Sequence, residues 1–346
     1  MALSLKQGWL YFLGEEDYQT STRSHFVKIG ITAGDRSVSE RMHDHQTGNP
    51  RRITELHSIR TPFVDYLETH LHHRFAPSRV HGEWFGLNAR GLIAVIDEAN
   101  KINDEMLAVA AKAKRAEDMS AKPSDGATKK ASDRAKKLHA HYVAVESERA
   151  RLKLEQSLIE TELRRLTSDS AGISGITVQS MTDPNPKLDA SALAAARPSL
   201  YQKFVTEKES FSTSFTIKDK PTPAKAHKGL KEQVDKAREQ LAAVSSVKAD
   251  EKRRSASSRN LHAEWLLMHS KIAEVEFTAS RLELEIKSIC GIAEGIEDIC
   301  TWKRGNKVSE SFDGAGFKKA HPRIWGRFAS IPNPQGRLII HRYRPY

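Results

Sequence analysis

Apolar side chains recur in two different rhythms. In the first hundred residues they fall in short β-like runs: Gly8-Trp9-Leu10-Tyr11-Phe12-Leu13, then Phe26-Val27-Lys28-Ile29-Gly30-Ile31. The polar stretch 14–25 between them predicts a long hairpin connection. From Ser37 to Gln46 the spacing turns helical, with Val38, Met42 and His45 on one side, and Thr47-Gly48-Asn49-Pro50 ends it. Residues 53–59 alternate as a third strand. Pro62 opens a helix through Phe75 with Val64, Leu67 and Leu71 as its core stripe. After Pro77, Val80-His81-Gly82-Glu83-Trp84-Phe85 reads as a turn into a short extended segment, and residues 88–105 as a closing helix. The order ββαβα plus a further helix predicts a small α/β sandwich over 1–105, built on a three-stranded antiparallel sheet.

Beyond it the chain repeats itself. Leu138-His139-Ala140 recurs as Leu261-His262-Ala263, and Gly172-Ile173-Ser174-Gly175-Ile176 as Gly295-Ile296-Glu297-Asp298-Ile299, both at an offset of 123. After a one-residue indel, residues 188–204 match 312–328 at an offset of 124. Each copy begins with a long charged helix, 138–167 or 261–289, and ends in an apolar strand-like segment, Phe211–Ile217 or Leu338–Tyr343. Two copies make a duplication, and apolar positions such as Leu152, Leu158, Ile159, Leu163 and Leu166 suit helices that pair with each other or with a second chain in a homo-oligomer. The expected fold class is α+β: the small sandwich at 1–105, a basic linker at 106–137, repeat 1 at 138–218, a basic linker or helix at 219–260 and repeat 2 at 261–346.

Charge divides along the same line. The chain has 346 residues and a formal net charge of +11, yet residues 1–105 stand at −2 and the remainder at +13. Eight of the 15 histidines lie in the first 105 residues. A near-neutral unit rich in His, Tyr, Arg and Glu has the composition of a chemical site, and a basic remainder that of a polyanion tether. Any single basic run is as well explained by solvation. With a mean hydropathy of −0.56, no apolar run approaches the roughly 18 residues that span a bilayer. The opening Met1-Ala2-Leu3-Ser4-Leu5-Lys6 lacks the pattern of an export leader, so a cytoplasmic protein with no membrane partner is expected. Cys290 and Cys300 are too few for a disulfide framework and read as buried small hydrophobes.

The first hundred residues carry a resemblance. Leu10-Tyr11, Lys28-Ile29-Gly30-Ile31-Thr32, Arg41 with His45, Gln46-Thr47-Gly48-Asn49-Pro50, Leu67-Glu68 and Gly82-Glu83-Trp84-Phe85 occur in order, and together resemble the GIY-YIG nuclease superfamily, most closely its phage-associated branch. The resemblance spans residues 8–86 and implies a bacterial or phage-encoded DNA endonuclease that uses Mg2+ or Mn2+. It implies that Tyr11 takes a proton from, or orients, the attacking water, that Arg41 holds the scissile phosphate, that Glu68 binds the metal and that His45 helps orient the site. Lys28 stands where the motif name has tyrosine, and Trp9-Leu10 where it has Gly-Ile. Many members carry an asparagine downstream where this chain offers Gly82-Glu83-Trp84-Phe85, so Glu83 reads either as a second carboxylate near the metal or as a cap and packing element.

The chemistry is coherent in its own right. Phosphodiester hydrolysis needs charge neutralisation, an activated water and their alignment; a carboxylate-bound metal and a guanidinium meet the first need. A tyrosine, with a reference pKa near 10, is a poor base unless a cation lowers it, and Lys28 on the neighbouring strand supplies such a field. Each residue also has a plainer reading. Tyr11 can be core with its hydroxyl at the rim, Arg41 can pair with Asp44 or Glu40, and Glu68 with His72 can form a surface pair. His70, His72 and His73 do not suggest a shared metal, because adjacent residues on a helix diverge by about 100°.

Repeat 2 resembles the C-terminal segment of YqaJ-type phage recombinases, through Gly295-Ile296, Thr301-Trp302-Lys303, Phe312-Asp313, Phe317-Lys318 and His321-Pro322 followed by Ile324-Trp325. The resemblance implies an accessory DNA contact or assembly surface. Candidate nucleic-acid contacts are Lys252, Arg253, Arg254, Trp302, Lys303, Arg304, Lys318, Lys319 and Arg327, the tryptophans read either as stacking platforms or as core. The expected partner is DNA, double-stranded in the first instance. The expected activity is metal-dependent cleavage, the alternative being a DNA-binding protein that uses the same fold without cutting.

Overall fold

The computed structural model describes residues 4–182, 185–241, 246–332 and 335–346; Met1, Ala2 and Leu3, part of the stretch read above for a leader, lie outside them. The head begins with β1 (Gly8–Glu16) and β2 (Arg23–Ala33), joined by a turn around Asp17 whose carboxylate accepts from the Gln19 and Thr20 amides. Both strands run further into the polar connection than their apolar cores suggested. Helix α1 (Val38–Gln46) opens on a capping box in which Ser37 and Glu40 satisfy each other's backbone amides. Then come β3 (Arg52–Thr61), α2 (Val64–Arg74), the short β4 (Arg79–His81) and β5 (Trp84–Gly86), and α3 (Ala89–Leu107). The sheet order is β3-β1-β2-β5-β4, so the three expected antiparallel strands lie together on one side and the hairpin about Gly82 adds two short ones beyond β2.

The strand period of two decides what each face does. Leu10, Phe12, Val27 and Ile29 pack under α2 and α3, while Tyr11 and Leu13 turn the other way, toward Val38 and Met42 of α1. Tyr11 is therefore fully buried, and its cross-strand partner has to be small. Gly30 lies directly opposite, and a Cβ there would come within 2.7 Å of the Tyr11 hydroxyl.

Residues 106–137 hold α4 (Ala110–Ser120) and the two-residue β6 (Thr128–Lys129). The tail follows as α5 (Asp133–Thr167), β7 (Gly172–Ile173), β8 (Thr177–Thr182), β9 (Lys187–Leu188), α6 (Ala190–Ala196), α7 (Pro198–Gln202) and β10 (Val205–Ile217). Next are α8 (Pro223–Ala226), α9 (Lys228–Glu239) and β11 (Glu251–Lys252), which lead into the second copy. That copy is α10 (Ala256–Cys290), β12 (Gly295–Ile296), β13 (Cys300–Phe312), α11 (Gly314–Ala320), α12 (Pro322–Phe328), β14 (Ala329–Ser330) and β15 (Gln335–Ile340).

Helices α5 and α10 have 35 residues each, about 50 Å at 1.5 Å per residue, and pack side by side. They run antiparallel, since Arg134 meets Glu285, Lys153 meets Glu276, and the Trp265 indole donates to Glu160. The sheets at their ends are built by exchange. β10, the last strand of repeat 1, pairs along its whole length with β13 of repeat 2, while β15, the last strand of repeat 2, pairs with β8 of repeat 1. The entry strands cross as well: β6 joins β12, and β11 joins β7. Each copy thus completes the other's sheet, a pseudo-dimer within one chain.

The head rests on α10. Tyr66 of α2 meets Phe277, Arg74 bridges to Glu274 and Ser270, and Arg281 pairs with Glu105. The main core runs without interruption from Leu10 and Phe12 through Phe277 to Ile296 and Trp302. Among the described residues, no helix is long and apolar enough to cross a membrane.

Candidate active site

The β4–β5 hairpin pairs with β2 only at Phe26–Lys28, so from Ile29 onward that edge of β2 carries no strand. Side chains from α1, α2, β2 and the hairpin meet at this open edge. The Glu83 carbonyl accepts from the Ile29 amide, and the His72 ring donates from Nε2 to the Ile29 carbonyl at 2.9 Å. Burial takes His72 down to about 4, so it sits neutral beneath the site.

Tyr11 Oη lies 3.1 Å from His45 Nε2. Burial pushes the phenol above its ordinary pKa, against a pull from the adjacent Arg41 guanidinium. Burial, with the charges of Lys28 and Arg41, holds His45 below its ordinary value, so it is neutral at neutral pH. Arg41 bonds Asp44 Oδ2 at 3.3 Å, as the plainer reading allowed, but its buried Nε has no hydrogen-bond partner among the described residues. Arg36 also holds Asp44.

Lys28 is largely buried, contacts Glu83 directly and lies 5.9 Å from the Trp84 ring centre. Burial opposes ionisation of Glu83, but the Lys28 contact outweighs it and keeps the carboxyl below its ordinary value. Glu68, half-buried on α2, has no hydrogen bond or ion pair among the described residues. Burial first, then the charges of Glu83 and Asp65, push it up to about 7, against the weaker pull of Lys28 and Arg79. One carboxylate is neutralised and its neighbour is not. A cation beside Glu68 would remove the penalty it carries, which is how the donor set fits a divalent ion. Among the described residues no group of three or more His, Cys, Asp or Glu side chains could hold a metal, so most ligands to such an ion would be water or substrate.

The adjacent histidines of α2 go separate ways: His70 to Glu98 at 3.4 Å, His72 to Ile29, and His73 against His269. A residue that the sequence reading overlooked is Arg79. It feels the charges of both Glu83 and Glu68, and its side chain donates to the Gly82 carbonyl. The clue was available in Gly82, which at φ +52 makes the turn that folds residue 79 back toward residue 83.

Two tail candidates are corrected. Trp302 and Arg304 do not form a nucleic-acid surface. Trp302 is 2% exposed and packs edge-on against Phe215, its indole donating to Thr213. Arg304 is 5% exposed and donates to the Met119, Ile292 and Ala293 carbonyls, so its charge is spent joining α4 to the end of α10. Lys252 donates to the Leu166 carbonyl at the end of α5, and Lys303 lies 3.7 Å from Glu294. Arg254 stacks on Tyr346 and Lys318 on Trp325, while Arg253, Lys319 and Arg327 are exposed.

Residues 8–100 match the family model of the T5orf172 domain, a phage-associated, GIY-YIG-like domain of endonuclease type. This part of the chain is thereby similar to a class with a nuclease or DNA-binding role; the match stops short of the tail and does not extend to the recombinase-like pattern of repeat 2. No curated protein and no solved structure matches the chain.

Proposed function

We propose that the protein is a metal-dependent DNA endonuclease whose hydrolytic centre is the cluster at the open edge of β2. The observation that carries this is the unpartnered, half-buried Glu68 carboxyl, held up to about 7 beside the neutralised Lys28–Glu83 pair. Glu68 would hold Mg2+ or Mn2+, with Glu83 at hand as a further carboxylate. The ion would supply Lewis acidity and charge neutralisation at the phosphate.

The chain's own groups account for the remaining needs. Arg41, positioned beside Tyr11 and Asp44, would offer its guanidinium N–H groups to a phosphate oxygen, a charge-assisted bond that strengthens as the pentavalent centre gains negative charge. Tyr11 and His45 form a proton path: in the tautomer protonated on Nδ1, neutral His45 accepts the phenol proton, and Tyr11 takes one from the attacking water. Tyr11 alone, raised by burial, would be a poor base. The basic tail then serves to grip DNA, as its +13 suggests, or to self-associate through its long helices.

The test is incubation with duplex, branched and single-stranded DNA in Mg2+ or Mn2+. Glu68→Gln and Arg41→Ala are expected to lower nicking at least about a hundredfold, the scale of losing one transition-state contact, while binding persists. Nicking by Glu68→Gln at the wild-type rate would overturn the assignment. Binding by the wild type without cleavage of any substrate would leave the family's other role, DNA binding.

A further inference from the structure

A second feature adjoins the site and is not needed for the hydrolysis just described. Between the head hairpin, α5, α9 and the strand β15 runs a cleft of about 890 Å3. Five arginines from four parts of the chain converge on it: Arg79, Arg164, Arg238, Arg337 and Arg342. Elsewhere some arginines are neutralised locally and others, such as Arg253 and Arg327, stand exposed on the surface outside this cleft. Arg165, next to Arg164 on the same helix, is held by Glu162, and Arg151 by Glu148 and Glu155. Arg164, Arg238, Arg337 and Arg342 have no ion-pair partner among the described residues. The one carboxylate in the lining, Glu160, is engaged by the Trp265 indole at 3.0 Å.

The cleft also carries flat rings. Tyr343 lies in the lining, 5.4 Å from His81 of the head and 4.7 Å from His341, while Trp265, which also borders the cleft, is buried against His269 and offers no free face. A backbone bond ties this segment to the head, the Arg344 amide donating to the Arg79 carbonyl at 2.5 Å. Arg79 links the cleft to the hydrolytic cluster, feeling Arg342 and Tyr343 on one side and Glu68 and Glu83 on the other.

We propose that this cleft binds a single-stranded segment of the nucleic acid, an overhang or flap leading to or from the cluster at Glu68. Unpaired arginines beside aromatic faces are what a single strand requires, phosphates for the first and exposed bases for the second. A cleft of about 890 Å3 has room for a few nucleotides of one strand and not for a base-paired duplex with its two backbones. The proposal rests on the nucleic-acid-binding part of the reading above and adds the strandedness of the substrate.

The test measures binding without cleavage, so it stands even if the hydrolytic assignment fails. Full-length Glu68→Gln protein, alone and with Arg337→Ala and Arg342→Ala added, is titrated without divalent metal against fluorescent oligo(dT), oligo(rU), a blunt duplex and the same duplex with an overhang. Both arginines are exposed, so the fold should survive, and Arg337→Lys with Arg342→Lys serves as the charge-preserving control. The alanine pair is expected to lose tenfold or more on the overhang duplex and on whichever oligomer binds more tightly, with blunt-duplex binding unchanged and the lysine pair near wild type. Its salt slope on the oligomer should shrink by about 1.4, two contacts at about 0.7 each. Unchanged oligomer binding, or an equal loss on the blunt duplex, would overturn the proposal.

Discussion

Glu68 shows how little separates a structural carboxylate from a reactive one. Burial and the charge of Glu83 set its proton affinity, and the same conditions favour a cation. The sign is fixed: the folded value is raised to about 7, so its charge costs stability above that pH and the cost disappears as protonation proceeds below it. A divalent ion must displace that proton. Mn2+ is therefore expected to raise the melting temperature clearly at pH 8 and little at pH 6, with no pH-dependent difference in Glu68→Gln, as read by thermal unfolding; an equal rise at both pH values would refute cation binding at Glu68. That Tyr11, Arg41, His45 and Glu68 would come near one another was legible in the sequence because their spacing was informative jointly. Arg79 was not, since its role depends on the turn at Gly82 and on Arg342, which is remote in sequence. Trp302 and Arg304 were misread for a related reason: an aromatic beside basic residues describes a binding surface and an internal staple equally well until burial is known.

At the level of elements, the duplication extends to the helix ends. Ser168 and Gly291 cap α5 and α10 at equivalent positions, with φ of 56° and 61° and near-identical ψ. Glycine adopts this conformation freely, and a serine there carries strain of about 1–3 kcal/mol. Ser168→Gly should therefore stabilise the protein by about 1 kcal/mol in denaturant unfolding, since the bond from Gln179 to the residue-168 carbonyl does not depend on the side chain. No change or a loss of stability would mean that the serine is not strained there. The long helices could be read from the repeat and their apolar positions. Which strand pairs with which could not, because β10 and β15 alternate much as strands of a self-contained repeat would, and pairing across 163 residues leaves no local mark.

Across the whole molecule, reciprocal exchange makes the tail one cooperative body. Removing residues 335–346 takes β15 from the sheet of repeat 1 and leaves the β10–β13 ribbon of repeat 2 intact. Limited proteolysis of such a truncation should cut first within residues 172–182, more than a hundred residues from the deletion, while 300–312 stays protected. Cleavage confined to repeat 2 would contradict the exchanged pairing. The same exchange sets a timetable for synthesis. When β8 leaves the ribosome its partner is still unmade, since Thr177 must wait for Ile340, and its edge stays bare while the whole second copy is translated. The nascent chain therefore passes through a long interval of exposed strand, during which slower elongation or a crowded polysome would favour capture of that edge by a neighbouring copy.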